Sequence, residues 1–272
     1  MAHLELKSVN LVYNAGSAHE IRALQDINLS VEQGESVIIV GSNGSGKSSL
    51  MDVLSGTVSS TAGTIHLKGH DITRWSEQRR AALIGRVFQN PFAGTAPGLT
   101  VMENLALAAT RGRFPSMTRL LTNDIRTQVP ERLARLQMGL EERPEVPVGN
   151  LSGGQRQGVT LLMATWRQPE LLLLDEPTAA LDPHAAERVL RLSDEIVRDG
   201  HLTTLMVTHS MTQAVNLGER LLLLHRGVIE LDLSRSEKQR LRADELYAFL
   251  GELRRRDQID EPVVQMIAQQ YV

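Results

Sequence analysis

The sequence predicts an α/β fold on a mainly parallel sheet. Short apolar, β-branched runs recur along it, helical stretches separate them, and one run, Ser36 to Val40, ends at a glycine-rich turn that opens a helix. The 272 residues suit one large core with a subdomain or tail, because single cores stop growing near about 250 to 300 residues.

Met1 to Asn10 alternate Leu4, Leu6 and Val9 with polar neighbours, as a half-buried strand does. They lack the basic start and apolar stretch of a signal peptide, so the mature chain is expected to begin there. A polar loop from Asn14 to Glu20 leads to a second strand around Ile27, Leu29 and Val31. Ser36 to Val40 reads as a buried parallel strand, and a helix is expected over Lys47 to Leu54. Further strand-like runs lie at Gly63 to Leu67, Ala82 to Phe88, Leu171 to Leu174, Leu202 to Thr208 and Leu221 to Leu224.

Between Asn90 and Pro169 the strand pattern gives way to helical signals, so a helical insertion is expected at about 90–169. Thr100 and Glu103 form a capping box ahead of Val101, Leu105 and Leu107. Beyond Leu233 the chain becomes charged. Ser236 with Gln239 reads as another capping box, Leu241, Leu246, Phe249, Leu250 and Leu253 make an apolar stripe, and a last helix is expected from Pro262 to Tyr271. The layout is therefore a core over 1–233 and a helical tail over 234–272. The run Arg254, Arg255, Arg256 reads as a solvated helix face, with a regulatory or dimer-supporting role as the alternative.

Hydrophobic residues make up 42% and charged residues 22%, ordinary for a globular protein. No stretch approaches the roughly 18 to 20 apolar residues of a membrane span. The chain has no cysteine, which excludes disulfides and thiolate metal sites and fits a reducing compartment. A net charge of −3 gives no basic excess for nucleic acid.

Gly41, Ser42, Asn43, Gly44, Ser45, Gly46, Lys47 and Ser48 spell the P-loop pattern, with Ser49 continuing into the helix. Its glycines let successive N–H groups wrap a phosphate, Lys47 reaches the outer phosphates, and Ser48 ligates Mg²⁺. Asp175 and Glu176 end a buried strand. Adjacent acids are costly there without a cation, so Asp175 is assigned to the metal and Glu176 to the attacking water. Gln89 and His209 also follow strands, and open α/β sheets bind ligands at the carboxyl ends of their strands. Leu151, Ser152, Gly153, Gly154 and Gln155 make a second glycine-bearing helix start, with Ser152 and Gln155 as a capping box and N–H groups open to a phosphate.

Leu151 to Gln155, with the P-loop and the Asp-Glu pair, resembles the signature of ABC (ATP-binding cassette) ATPases over roughly residues 1 to 232. The resemblance implies a P-loop NTPase (RecA-like) core with an antiparallel β subdomain and a helical signature subdomain. It implies an ATP hydrolase using Mg²⁺, working as a head-to-tail homodimer in which Ser152 to Gln155 of one chain close on ATP held by the other. Tyr13 resembles the aromatic that stacks on adenine, Gln89 the Q-loop glutamine and a metal contact, Asp182 the D-loop aspartate, and His209 the switch histidine. Glu176 resembles the catalytic base.

One departure follows Gln157: Gly158 to Met163 replace the usual basic and small residues. A mid-helix glycine costs about 1 kcal/mol relative to alanine, which points to close packing at Gly158. That stretch, with Gly94 to Ala96 and Leu205 to His209, resembles the ATPase subunits of uptake systems for tryptophan- or tyrosine-like solutes. An integral membrane permease, an extracytoplasmic solute-binding protein and a place on the cytoplasmic face of the membrane are the partners and location implied. A soluble member acting on DNA or ribosomes is the alternative; such members carry long coiled coils or paired cassettes, which this sequence lacks.

Overall fold

The computed structural model describes residues 2–112, 120–253 and 255–256. The alternating start forms β1 (Leu4–Tyr13), which pairs antiparallel with β2 (Ile21–Val31) and β4 (Ala62–Leu67); β5 (His70–Asp71) completes this four-stranded sheet. The second sheet takes β3 (Ser36–Val40) near its centre, in the order β10 (Val228–Leu233), β9 (Arg220–His225), β3, β8 (Thr204–Val207), β7 (Leu171–Asp175), β6 (Ile84–Val87). All its pairings are parallel except β10 with β9.

Alternate residues of the parallel strands face two separate cores. Val37, Ile39, Leu171, Leu173, Leu222 and Leu224 face the antiparallel sheet and α1 (Lys47–Ser55). Ile38, Val40, Leu172, Leu174, Leu221 and Leu223 face the helical layer. Both faces are covered, as parallel sheets require, so these strands read as continuous apolar runs.

That helical layer holds α3 (Val101–Thr110), α4 (Asn123–Ala134) and α5 (Gly153–Thr165) between β6 and β7, then α6 (Pro183–Gly200) and α7 (Met211–Asn216). A short helix α2 (Glu77–Arg80) precedes β6. The capping boxes at Thr100/Glu103 and Ser152/Gln155 are both present. A Cβ at Gly158 would lie 3.2 Å from a Leu136 methyl, and this tight approach accounts for a glycine within α5.

Two corrections arise after β9. The chain first turns through Arg226 and Gly227, both left-handed, into β10, a strand the sequence reading did not place. The tail's capping box then belongs to Ser234 and Glu237 around α8 (Arg235–Lys238), not to Ser236 and Gln239. Ser234 is the first residue off the sheet, and its N–H donates to the Glu237 carboxylate at 2.9 Å, a stronger acceptor than an amide.

The tail packs onto the body. Lys238 is buried and donates to the carbonyls of Leu217 and Gly218 at the end of α7; burial pushes its pKa down to about 8, with Glu219 opposing. A further helix, α9, covers 243–253, with Leu246, Leu250 and Leu253 buried in the helical core. The helix expected over Pro262 to Tyr271 and the first residue of the arginine run, Arg254, lie outside the described residues. Each buried leucine contributes about 1.5–3 kcal/mol. A chain ending at residue 242 is therefore expected to unfold at lower denaturant, read by fluorescence or circular dichroism. Unchanged stability with an altered ATPase rate would instead mark the tail as regulatory. Among the described residues no helix is long and apolar enough to cross a membrane.

Candidate active site

Strands β3, β6, β7 and β8 run in the same direction, so their C-terminal ends share one edge of the sheet. The residues following them, Gly41, Gln89, Glu176 and His209, are delivered to that edge together.

The loop after β3 is moulded by its neighbours. A Cβ at Gly41 would sit 2.2 Å from the Leu224 carbonyl, and one at Gly46 would sit 2.6 Å from the Ala23 carbonyl. Gly46 is also left-handed and is the N-cap of α1, where no side chain caps the first turn and no acidic residue occupies it. The open N–H groups and helix dipole there suit an anion. Asn43, Gly44 and Ser48 are exposed on the same loop, Ser42 and Ser49 are half-buried, and Ser45 is buried.

Lys47 is buried and folds back, donating through Nζ to the carbonyls of Gly41 and Ser42, each at 2.9 Å, and to Ser45 Oγ at 3.4 Å. Burial pulls its pKa below the ordinary lysine value, and the Glu176 and Asp175 carboxylates oppose that shift. The ammonium thus faces both carboxylates, held by acceptors that a phosphate can replace.

Asp175 ends β7, and the chain turns sharply at Glu176, which takes a left-handed conformation rare outside glycine. Its N–H donates to Val207 on β8 at 3.2 Å, fixing the turn. Both oxygens of the buried Glu176 carboxylate are engaged. Oε1 lies 2.5 Å from His209 Nε2, and Oε2 accepts from Gln89 Nε2 at 3.1 Å. Asp175 Oδ2 accepts from Arg86 Nη2 at 3.2 Å.

Ser152 and Gly153 are exposed at the start of α5, whereas Gly154 is buried against Ala185 of α6. Among the described residues, contacts of this segment run to Met138, Leu181 and Ala185 rather than to 41–48. Asp182 caps α6, accepting from the N–H groups of His184 and Ala185 at 3.1 and 3.0 Å. Tyr13 closes β1 with its ring half-buried against the apolar cluster below.

Several residues at the site carry no local sequence signal. Arg86 also donates to Asp52 Oδ1 at 2.8 Å and Ser55 Oγ at 3.0 Å. Gln157 Nε2 donates to the Phe88 carbonyl at 3.3 Å, and the Arg156 guanidinium stacks 3.6 Å over the Phe92 ring. Two neighbours on α5 thereby grip the chain on either side of Gln89.

Among the described residues no group of three or more His, Cys, Asp or Glu could hold a metal by itself. Ser48, Asp175 and the amide oxygen of Gln89 offer an all-oxygen set with one carboxylate. That suits Mg²⁺, which binds through one or two carboxylates, substrate phosphates and retained waters.

A phosphate cradle opening a helix, with paired carboxylates at the same sheet edge, defines a P-loop NTPase. The protein-family model described as ABC transporter matches residues 24–179. The chain is 37% identical, over 89% of its length and 96% of the relative's, to a tyrosine transport ATP-binding protein of Clostridioides difficile. It is 37% identical to a lipoprotein-releasing system ATP-binding protein of Caulobacter vibrioides, over 81% of this chain and 92% of that one. A solved dimeric ATP-binding cassette in a post-hydrolysis state with ADP and Pi superposes with a TM-score of 0.74 at 29% identity, covering 85% of this chain and 98% of that one. The chain belongs to the ABC transporter family. It is an ATP-binding and ATP-hydrolysing subunit that energises a membrane permease.

Proposed function

We propose that this ATPase drives import of a small solute such as an amino acid, from the cytoplasmic face of the membrane, as a head-to-tail homodimer with two ATP sites. Residues 1–233 form the ATPase domain, with about 90–169 as its helical subdomain, and 234–272 form the tail. Likeness to the tyrosine transport ATP-binding protein across nearly the whole of both chains favours an amino-acid-like solute. Likeness to a methionine import ATP-binding protein of Vibrio cholerae, 38% identical over 76% of this chain and 58% of that one, favours an importer. Solute choice then lies with the permease and an extracytoplasmic solute-binding protein.

The observation that carries the site reading is the Glu176 carboxylate, held between Gln89 and His209 beside the P-loop lysine. Residues 41–49 hold the triphosphate through backbone N–H groups and Lys47, and Tyr13 stacks on adenine. Ser48, Gln89 and Asp175 would hold Mg²⁺, which when bound neutralises charge on the β- and γ-phosphates. Glu176 takes the proton of the attacking water, and its fixed oxygens keep it aimed without reorganisation. His209 contacts the γ-phosphate side and steadies Glu176. Ser152 to Gln155 of the partner subunit close the site, with Asp182 at the dimer seam.

The test is to express tagged Glu176→Gln chain in its native host, solubilise membranes with ATP present, and identify what co-purifies. A polytopic permease is expected, and its neighbouring genes would then identify the solute. Recovery of ribosomes or DNA-bound proteins, with nothing from the membrane fraction, would overturn the transporter reading.

A further inference from the structure

We propose that Arg86 is a positioning residue for Asp175: it holds one carboxylate oxygen and ties it to the P-loop helix, so that the other oxygen is presented to the metal. The inference rests on the assignment of Asp175 to Mg²⁺.

Arg86 lies in the middle of β6, the edge strand beside β7, with only 11% of its side chain exposed. The guanidinium spans three elements. Nη2 reaches Asp175 Oδ2 at 3.2 Å at the end of β7, while Nη1 reaches Asp52 Oδ1 at 2.8 Å and Ser55 Oγ at 3.0 Å on α1. Its flat face lies 4.6 Å from the Phe88 ring centre. Asp175 is as buried as its partner, with 10% of the side chain exposed.

A guanidinium is planar and rigidly forked, so anchoring Nη1 on α1 fixes where Nη2 points. The helix that begins in the P-loop is thereby linked to the carboxylate assigned to the metal. Asp52 supplies a second negative charge. Arg86 therefore faces two carboxylates and does not leave Asp175 fully neutralised. Its effect on a cation at Asp175 is mainly orientational: Oδ2 is taken and Oδ1 is left, the division a monodentate ligand needs. Groups that orient ligands from behind are worth about 10–100-fold in metal affinity.

The test uses the full chain in a Glu176→Gln background, so that ATP survives the titration. ATP affinity is measured by calorimetry in excess Mg²⁺ and again in EDTA; the ratio is the tightening brought by the metal. Arg86→Met is expected to reduce this ratio by about tenfold, leaving the EDTA affinity within about twofold of the parent. Arg86→Lys, which keeps the charge but loses the fork, is expected to fall between. Asp52→Asn, which loosens the anchor and keeps Arg86, should move the ratio the same way and serves if Arg86→Met does not fold.

Asp175→Asn separates the two ideas. If it leaves the ratio intact, the metal assignment itself is wrong. If it removes the tightening while Arg86→Met and Asp52→Asn retain it, the assignment stands and the positioning role is overturned. An equal loss with and without Mg²⁺ in Arg86→Met would likewise overturn it, marking a structural role alone.

Discussion

Glu176→Gln is expected to slow ATP hydrolysis by about 10²–10⁴-fold, the span a positioned general base supplies, while ATP binding persists. The amide has the shape of the carboxylate and can keep the partners that hold it, Gln89 and His209, after one amide reorients. What it loses is the ability to take a proton. Phosphate release under saturating ATP, measured beside an equilibrium titration, separates the two effects. A rate within about tenfold of wild type, or 1.4 kcal/mol in barrier, would remove Glu176 from the role of base.

Lys47→Ala is expected to act one step earlier, weakening ATP by about 100-fold or more, since each hydrogen bond to a charged group contributes about 1.5–3 kcal/mol. The ammonium already sits among the carbonyls of Gly41 and Ser42, so little rearrangement is needed to meet a phosphate. Calorimetry against ATP, with circular dichroism to confirm the fold, gives the answer. Near-wild-type affinity would show that backbone N–H groups carry the phosphates without it.

Much of the fold was legible because its signals are local. Val37 to Val40 is apolar throughout and covered on both faces; Thr100/Glu103 and Ser152/Gln155 cap their helices within one turn. The convergence of Gly41, Gln89, Asp175 and His209 followed from strand ends in a parallel sheet. What was missed has three causes. Val228 to Leu233 alternates after an Arg-Gly turn, which a hairpin reading could have found. The Ser236/Gln239 box was a shift of two residues within a run where two serines fit the same spacing. Arg86 is different in kind: its partners lie 34 and 89 residues away, so no spacing rule reaches them. The bond from Gln157 to Phe88 and the stacking of Arg156 on Phe92 likewise join segments far apart in sequence, although Arg156 also donates to the nearby carbonyls of Val148, Gly149 and Leu151.

The crowding around the P-loop glycines bears on how a loss-of-function series should be interpreted. At Gly41 and Gly46 any side chain meets backbone carbonyls of β9 and β2, so replacements there damage folding and nucleotide binding at once, and a dead variant would say nothing about phosphate contacts. Gly44 has no neighbour within 4 Å of where a Cβ would stand. Alanine there costs only about 1–2 kcal/mol for a left-handed backbone, so any larger loss of affinity measures how closely the nucleotide comes to that point. Gly44 is thus the position where the architecture and the chemistry of this loop can be told apart.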